Sequence, residues 1–113
     1  MIIAAGYRIG PFEVESACLE HTAVREAAVV ASPDELRGNI VKAFIVLADD
    51  HEPSDELADA IKRFVRERLS AYAYPRAIEF VPDLPKTLTG KIRRIELRQL
   101  ELDRAAATDR AGA

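Results

Sequence analysis

Cysteine and histidine are scarce in this sequence, which contains one cysteine, Cys18, and two histidines, His21 and His51. A single thiol cannot form an internal disulfide or a cysteine-rich metal site, and two histidines are too few for a typical zinc site. Neither histidine has a neighbour that suggests catalysis. Cys18 falls on the apolar side of a predicted helix, where a cysteine packs as a small apolar residue. We therefore predict no metal site and no catalytic thiol in this chain.

Long apolar runs are also absent. No stretch approaches the roughly 18 consecutive apolar residues that a membrane-spanning helix needs. The N-terminal segment lacks the basic region and the long apolar stretch of a signal peptide. These absences predict a cytoplasmic protein without a membrane span. The apolar run Ile2–Ala5 follows Met1 directly, without a leader or a cap, so we expect the chain to be a fragment of a longer protein.

Positive charge is not in excess. The 113 residues include 16 Lys and Arg against 19 Asp and Glu, which gives a formal net charge of -3. General nucleic-acid-binding domains are usually basic, so the composition argues against that class. A local basic patch does exist near the C-terminus, and few aromatic residues accompany it. It consists of Lys86, Lys91, Arg93, Arg94 and Arg98.

The pattern of apolar residues predicts alternating short strands and helices. Glycines and a proline within residues 1–11 suit a short hairpin. Pro11 opens a helix with Glu13, Glu15 and Glu20 on its polar side. The residues on its apolar side are Phe12, Val14, Ala17, Cys18 and His21. Runs at 27–31, 40–47 and 77–81 predict three strands, the second of them central; 32–34 ends the first strand and 36–39 forms a loop.

Two further helices follow from the same pattern. Ser54 and the acidic residues after it predict the start of a helix, which ends at Tyr74 because Pro75 follows. A loop at 82–90 precedes a short final helix at 93–102. We expect a domain at 1–102 and a flexible tail at 103–113. The sum is an α+β fold, with a small, roughly three-stranded sheet plus an N-terminal hairpin, covered by two to three helices.

The loop before the last helix has the most unusual composition, with two threonines and a glycine beside Lys86 and Lys91. A lysine on a flexible loop is a movable point charge suited to phosphate or carboxylate oxygens. The loop is not a P-loop, because Pro85 and Ile92 replace the required glycine and hydroxyl residue. From residue types and spacing alone, solvated surface charges are the favoured interpretation of both lysines.

Several segments, in order, resemble the adenylate-forming superfamily, which comprises acyl-CoA synthetases, peptide-synthetase adenylation domains and luciferases. Pro85–Arg94 (PKTLTGKIRR) resembles its C-terminal signature, and Gly6–Glu15 (GYRIGPFEVE) is similar to the segment after its hinge. The similarity extends from about Ile2 to Arg98. Tyr72–Arg76 (YAYPR) is most similar to the medium-chain acyl-CoA synthetase branch.

The resemblance implies the mobile C-terminal lid domain of an acyl-CoA synthetase. In that family ATP activates a carboxylic acid as an acyl-adenylate, the small domain rotates, and coenzyme A displaces AMP. Lys91 then corresponds to the catalytic lysine that contacts carboxylate and phosphate oxygens, and Arg8 reaches substrate or nucleotide. The implied partners are the N-terminal large domain, the acyl-adenylate and coenzyme A. Mg²⁺ is expected in the full enzyme but not in this domain, which alone should be inactive.

The same resemblance places coenzyme A contacts in three segments of the chain. Glycine allows the close approach of a narrow ligand, arginines suit phosphates, and a tyrosine could flank adenine. The residues concerned are Gly6, Tyr7, Arg37, Arg66, Tyr74, Pro75 and Arg76. For Arg37, Arg66 and Tyr74 an ordinary surface role is equally consistent with the sequence, and Tyr7 could simply pack.

Three function classes follow from these observations. The first is the catalytic lid of an acyl-CoA synthetase. The alternative is a standalone, non-catalytic module that binds coenzyme A or a nucleotide. The third, nucleic-acid binding through the basic patch, ranks last because the protein is acidic. A coding region for a large domain directly upstream, in the same frame, would separate the first class from the second.

Overall fold

The computed structural model describes residues 2–4, 7–34, 38–69 and 74–112, with side chains at 10–33, 38–69 and 74–107. Within these ranges the fold comprises a two-stranded pair, a three-stranded sheet and three helices, so the predicted α+β fold class is confirmed. In chain order the elements are β1 (Ile2–Ala4), β2 (Tyr7–Ile9), α1 (Pro11–Leu19), β3 (Val24–Asp34), β4 (Gly38–Leu47), α2 (Asp55–Arg68), β5 (Ala77–Phe80) and α3 (Arg94–Gly112).

The main sheet has the strand order β3-β4-β5, which confirms the prediction of a central strand at 40–47. β3 and β4 are antiparallel, with pairs from Val24–Leu47 to Asp34–Gly38. β4 and β5 are parallel, and α2 lies in the connection between them. A parallel pair needs such a crossover, because its two strands begin at the same end of the sheet.

Each face of the sheet carries its own core. Alternate residues of β4 point to opposite sides, so Val41 and Ile45 lie in one core while Phe44 and Val46 lie in the other. Helices α1 and α2 cover the first face, and α3 with Leu84 covers the second. β4 is therefore apolar on both sides, as expected of a strand buried between two layers.

Cys18 lies in the core between α1 and the sheet, as predicted. Burial, with a smaller effect of the nearby Glu15 charge, raises the pKa of the thiol to about 12. A thiol with that pKa stays protonated at neutral pH and is a poor nucleophile.

The prediction for the two sides of α1 was right for Val14, Ala17 and Cys18 but wrong for two other residues. Glu15 is only 5% exposed, whereas Phe12 is 66% exposed. The Glu15 carboxylate accepts a hydrogen bond from Val29 N–H at 2.7 Å and forms an ion pair with Arg94. These partners compensate a charge that would otherwise be expensive to bury. Phe12 stays outside, with the Arg94 guanidinium 4.7 Å from its ring centre.

The predicted ends of the first two strands were also wrong. β3 continues through Pro33 to Asp34, and β4 already begins at Gly38. Pro33 is tolerated because β3 lies at an edge of the main sheet, where a residue without an N–H group breaks no ladder. Positions 36–37 of the loop predicted at 36–39 lie outside the described residues.

Two helix ends differ from the predictions. α2 begins after Ser54, whose hydroxyl accepts a hydrogen bond from Leu57 N–H as predicted. It ends at Arg68, however, because Leu69 leaves the helical region with φ -108° and ψ -87°. α3 continues to Gly112 rather than ending at Leu102, since Ala105–Ala107 are strong helix formers. The domain boundary and the mobility of the C-terminal segment stay predictions.

Candidate functional site

The loop between β5 and α3 is closed at its base by paired hydrogen bonds. Thr87 N–H donates to the Lys91 carbonyl at 2.8 Å, and Lys91 N–H donates to the Thr87 hydroxyl oxygen at 3.1 Å. Gly90 makes the turn with φ +87°, a conformation that favours glycine. These contacts fix the backbone of Lys91, the predicted catalytic lysine.

The two lysines of this loop have different surroundings. Lys86 Nζ lies 2.6 Å from Glu26 Oε1 and 3.5 Å from Asp83 Oδ1. The hydrogen bond to Glu26, more than the nearby negative charges, raises the pKa of Lys86. Lys91 is exposed, and no described residue forms a hydrogen bond or ion pair with its ammonium group. Of the two, Lys91 is available to a ligand.

A second group of predicted residues meets where α2 ends and β5 begins. The guanidinium carbons of Arg66 and Arg76 lie 5.6 Å and 5.3 Å from the centre of the Tyr74 ring. Arg76 also donates a hydrogen bond to the Tyr74 hydroxyl at 3.3 Å. Pro75, between them, is buried, and Arg76 N–H donates to the Val41 carbonyl. We refer to Arg66, Tyr74 and Arg76 as the arginine cluster.

The lysine loop and the arginine cluster attach to opposite ends of the sheet. Lys86 is bound to Glu26, whereas Arg76 is bound to Val41, which pairs with Ala31. Glu26 and Ala31 are five positions apart on β3, or about 17 Å along the strand. The two groups also lie on opposite faces, since Tyr74 packs with the α1–α2 core and Leu84 with the α3 core.

Other predicted residues are only partly described. Tyr7 and Arg8 lie on β2, where they pair with Ala4 and Ile3, and their side chains lie outside the described residues. Gly6 and Arg37 lie wholly outside them. The structure therefore brings together Arg66, Tyr74, Pro75 and Arg76, and places Lys91 apart from them.

Sequence reasoning missed the acidic residues that hold the lysine loop. Glu15 binds Arg94 and Glu26 binds Lys86, one residue pair on each side of the loop. A signal for Glu15 was present, because Glu13 and Glu15 are two positions apart and cannot share one helix face. No local signal marked Glu26, whose partner is remote in sequence.

A polar network also fastens α3 to the face of the sheet that it covers. Glu101 accepts hydrogen bonds from Ser32 and Lys42, both at 2.8 Å. Burial opposes its ionisation, but these hydrogen bonds outweigh burial and lower the pKa of Glu101. Glu79 binds Arg104 and Lys42, and the Arg104 hydrogen bond does most to lower the Glu79 pKa.

Metal-binding clusters and membrane-spanning helices are both absent from the described residues. No group of three or more His, Cys, Asp or Glu side chains there is arranged to hold a metal ion. In the same ranges, every helix is too short or too polar to cross a bilayer.

Comparison with known proteins decides the family. The model of the AMP-binding enzyme C-terminal domain matches residues 13–91. The chain belongs to this family. The resemblance predicted from the sequence motifs is confirmed, and the acyl-CoA synthetases among its relatives confirm the predicted branch.

The similarity to individual acyl-CoA ligases is high. The 4-hydroxybutyrate–CoA ligase 1 of Metallosphaera sedula is 57% identical over 101 residues, which cover 89% of this chain and 18% of that enzyme. The mitochondrial acyl-coenzyme A synthetase ACSM4 of Mus musculus is 55% identical over 107 residues, which cover 93% of this chain and 18% of that enzyme. The crystal structure of Brucella canis acyl-CoA synthetase superposes with a TM-score of 0.88 at 55% identity. The superposition covers 90% of this chain and 19% of that enzyme.

The chain thus spans about a fifth of the length of the relatives that it matches. The relatives contain a large N-terminal part that this AMP-binding C-terminal domain does not supply. Since one of them is named as mitochondrial, the predicted cytoplasmic location of this chain stays a prediction.

Proposed function

We propose that this domain is the mobile lid of an acyl-CoA synthetase. It supplies Lys91 for the ATP-dependent adenylation of a carboxylic acid, and it supplies a coenzyme A-binding surface for thioester formation. In the first step the acid displaces pyrophosphate from ATP, and in the second the thiol of coenzyme A displaces AMP. The observation that carries the proposal is the exposed ammonium of Lys91, which pairs with none of the described residues and lies on a loop with a fixed backbone.

Lys91 acts by electrostatic stabilisation. Negative charge develops on the oxygens of the α-phosphate as the carboxylate attacks, and a positioned cation stabilises that charge. The neighbouring Lys86 cannot replace it while its own charge is held by Glu26. Leu88, at the loop tip, is fully exposed and is placed to contact the large domain when the loop enters the active site. Any Mg²⁺ is held by the large domain.

The arginine cluster forms part of the coenzyme A surface. Its guanidinium groups suit phosphate oxygens, and the Tyr74 ring offers a surface for the adenine. The buried Pro75 contributes through its backbone. Gly6, Tyr7 and Arg37 complete this surface in the proposal, and Arg8 contacts substrate or nucleotide.

The separation of the two groups fits a domain that works in two orientations. Lys91 and the arginine cluster occupy opposite ends and opposite faces of one small sheet. A single reaction centre in the large domain cannot meet both in one pose. Rotation between the steps brings each group to the centre in turn, as in other lid-type enzymes.

The alternative of a standalone module that binds coenzyme A or a nucleotide is not favoured, since the similar proteins are ligases. A module of that kind would not depend on Lys91 for any reaction step. Substitution of Lys91 by alanine therefore separates the two proposals.

The test uses a chimeric enzyme in which this chain replaces the matching C-terminal segment of Brucella canis acyl-CoA synthetase. Lys91→Ala should abolish acid-dependent pyrophosphate release while thioester formation from added acyl-adenylate continues. Lys62→Ala, which removes an α2 lysine from the other face, is the matched control. Unchanged pyrophosphate release in Lys91→Ala would remove this lysine from the mechanism.

A further inference from the structure

The loop that carries Lys91 is held from both sides by carboxylates of other elements. On the N-terminal side, Lys86 pairs with Glu26 of β3. On the C-terminal side, Arg94 pairs with Glu15 of α1. Between these two anchors, Lys86 and Ile92 form an isolated β-bridge, and Arg93 N–H donates to the Pro85 carbonyl at 2.8 Å.

Glu26 lies directly after an irregularity in β3. The register of β3 against β4 shifts between Val24 and Glu26, so that the strand contains a bulge at Arg25 and Val24 lies in the core on the other face. Glu26 follows the regular alternation of the strand beyond the bulge. Ala28, two positions further on, belongs to the core beneath α3, so Glu26 lies on the same face as Leu84 and the lysine loop.

The Glu26 carboxylate is not fully solvated. Its Oε1 contacts Lys86, while its Oε2 is buried and has no hydrogen-bond partner among the described residues. Among the described residues, the Lys86 ammonium is the partner that compensates the charge of this partly buried carboxylate. The pair therefore constrains Lys86 more firmly than an ordinary surface ion pair such as Arg25–Asp49, in which Asp49 is fully exposed.

We propose that Glu26 and Lys86 are a positioning pair that sets the reach of Lys91 into the adenylation site. Lys86 is joined to Lys91 through the closed loop base, so a displaced Lys86 displaces the Lys91 backbone. Small displacements of catalytic groups have large effects on rate. Glu26 also neutralises the Lys86 ammonium, so that Lys91 is the lysine of the loop that is available to a ligand. This inference rests on the proposed function of Lys91.

The test measures both half-reactions in the chimeric enzyme. Glu26→Gln keeps the shape of the side chain and removes its charge, and Lys86→Met keeps the apolar stem. Each variant should slow adenylation by about tenfold to about a hundredfold, with the KM for ATP unchanged and thioester formation from added acyl-adenylate retained. The double variant should be no slower than the slower single variant, because the two single substitutions remove the same interaction, the Glu26–Lys86 ion pair.

Two further variants complete the design. Lys86→Arg keeps the cation and should retain most of the adenylation rate. Asp49→Asn removes the exposed ion pair of Arg25, which is the neighbour of Glu26 on β3, and should leave both half-reactions unchanged.

The outcomes separate this inference from the proposed function. A loss with Lys91→Ala but none with Glu26→Gln or Lys86→Met overturns the positioning pair alone. No loss with Lys91→Ala overturns the proposed function. An equal loss of both half-reactions in Glu26→Gln means that the pair only stabilises the fold, and this also overturns the inference.

Discussion

Glu15 on α1 and Arg94 at the start of α3 form an ion pair between positions 79 residues apart in sequence. Arg94 Nε lies 2.6 Å from Glu15 Oε2, and the same oxygen accepts the hydrogen bond of Val29 N–H. One buried carboxylate thus joins the first helix, the edge strand and the last helix.

Breaking the pair from its two sides should have unequal effects. Arg94→Met leaves the buried Glu15 charge without its cation and should lower the free energy of unfolding by about 3 kcal/mol. Glu15→Gln removes the buried charge and leaves a guanidinium that water partly reaches, so its cost should be about 1 kcal/mol. Urea unfolding followed by circular dichroism measures both values. Arg93→Met, at a neighbouring exposed position, is the control, and equal effects of the first two variants would contradict the asymmetry.

The two positive-φ glycines offer a matched pair of substitutions. Gly90 has φ +87° and Gly38 has φ +77°, and apart from their chain neighbours no described residue has an atom within 4 Å of a Cβ added at either position. Alanine at either position should therefore cost about 1 to 2 kcal/mol through backbone strain alone. Gly90→Ala should also slow adenylation in the chimeric enzyme, because it disturbs the Lys91 loop. If Gly38→Ala slows adenylation equally, the effect reflects stability and not the loop.

Acid should destabilise the domain through Glu79 and Glu101. Both pKa values are lowered in the folded state from the ordinary value of 4.5. A depressed pKa contributes stability above the unfolded-state value, and that stability is lost as the pH falls through the folded-state value. The free energy of unfolding should thus decrease as the pH falls below 4.5. Glu101→Gln should flatten this dependence, whereas Glu52→Gln, at an exposed loop position, should leave it unchanged; equal pH profiles for the two would contradict the assignment.

The single thiol should report global unfolding. Cys18 is buried with a pKa of about 12, so an aromatic disulfide reagent at pH 8 should not modify it in the folded domain. As the urea concentration rises, modification of Cys18 should begin in parallel with the loss of the circular dichroism signal. Since the sequence contains no other cysteine, the absorbance change has one source. Rapid modification without denaturant would mean that the core beneath α1 opens locally.

The sequence predicted those elements whose signals are local. Ser54 marked the start of α2, because its hydroxyl caps the helix through a neighbour three residues away. The run at 40–47 marked the central strand, because a strand buried on both faces is apolar at nearly every position. The short segment PKTLTGKIRR singled out Lys91 as the candidate catalytic lysine, and its side chain is exposed in the structure.

The features that the sequence could not predict depend on distant partners. The burial of Glu15, for example, requires Arg94 and Val29, which are remote in sequence. Lys86 and Lys91 share one loop and one residue type, so composition could not distinguish them. Only the three-dimensional approach of Glu26 assigns them different environments.

The Val29 hydrogen bond has a consequence for the outer side of β3. An N–H group on a sheet margin normally invites a strand from another molecule to add to the sheet. Here that donor is consumed by Glu15, and α1 packs beside it. This edge contact therefore protects the domain from intermolecular strand addition and aggregation, an advantage for the proposed mobile lid.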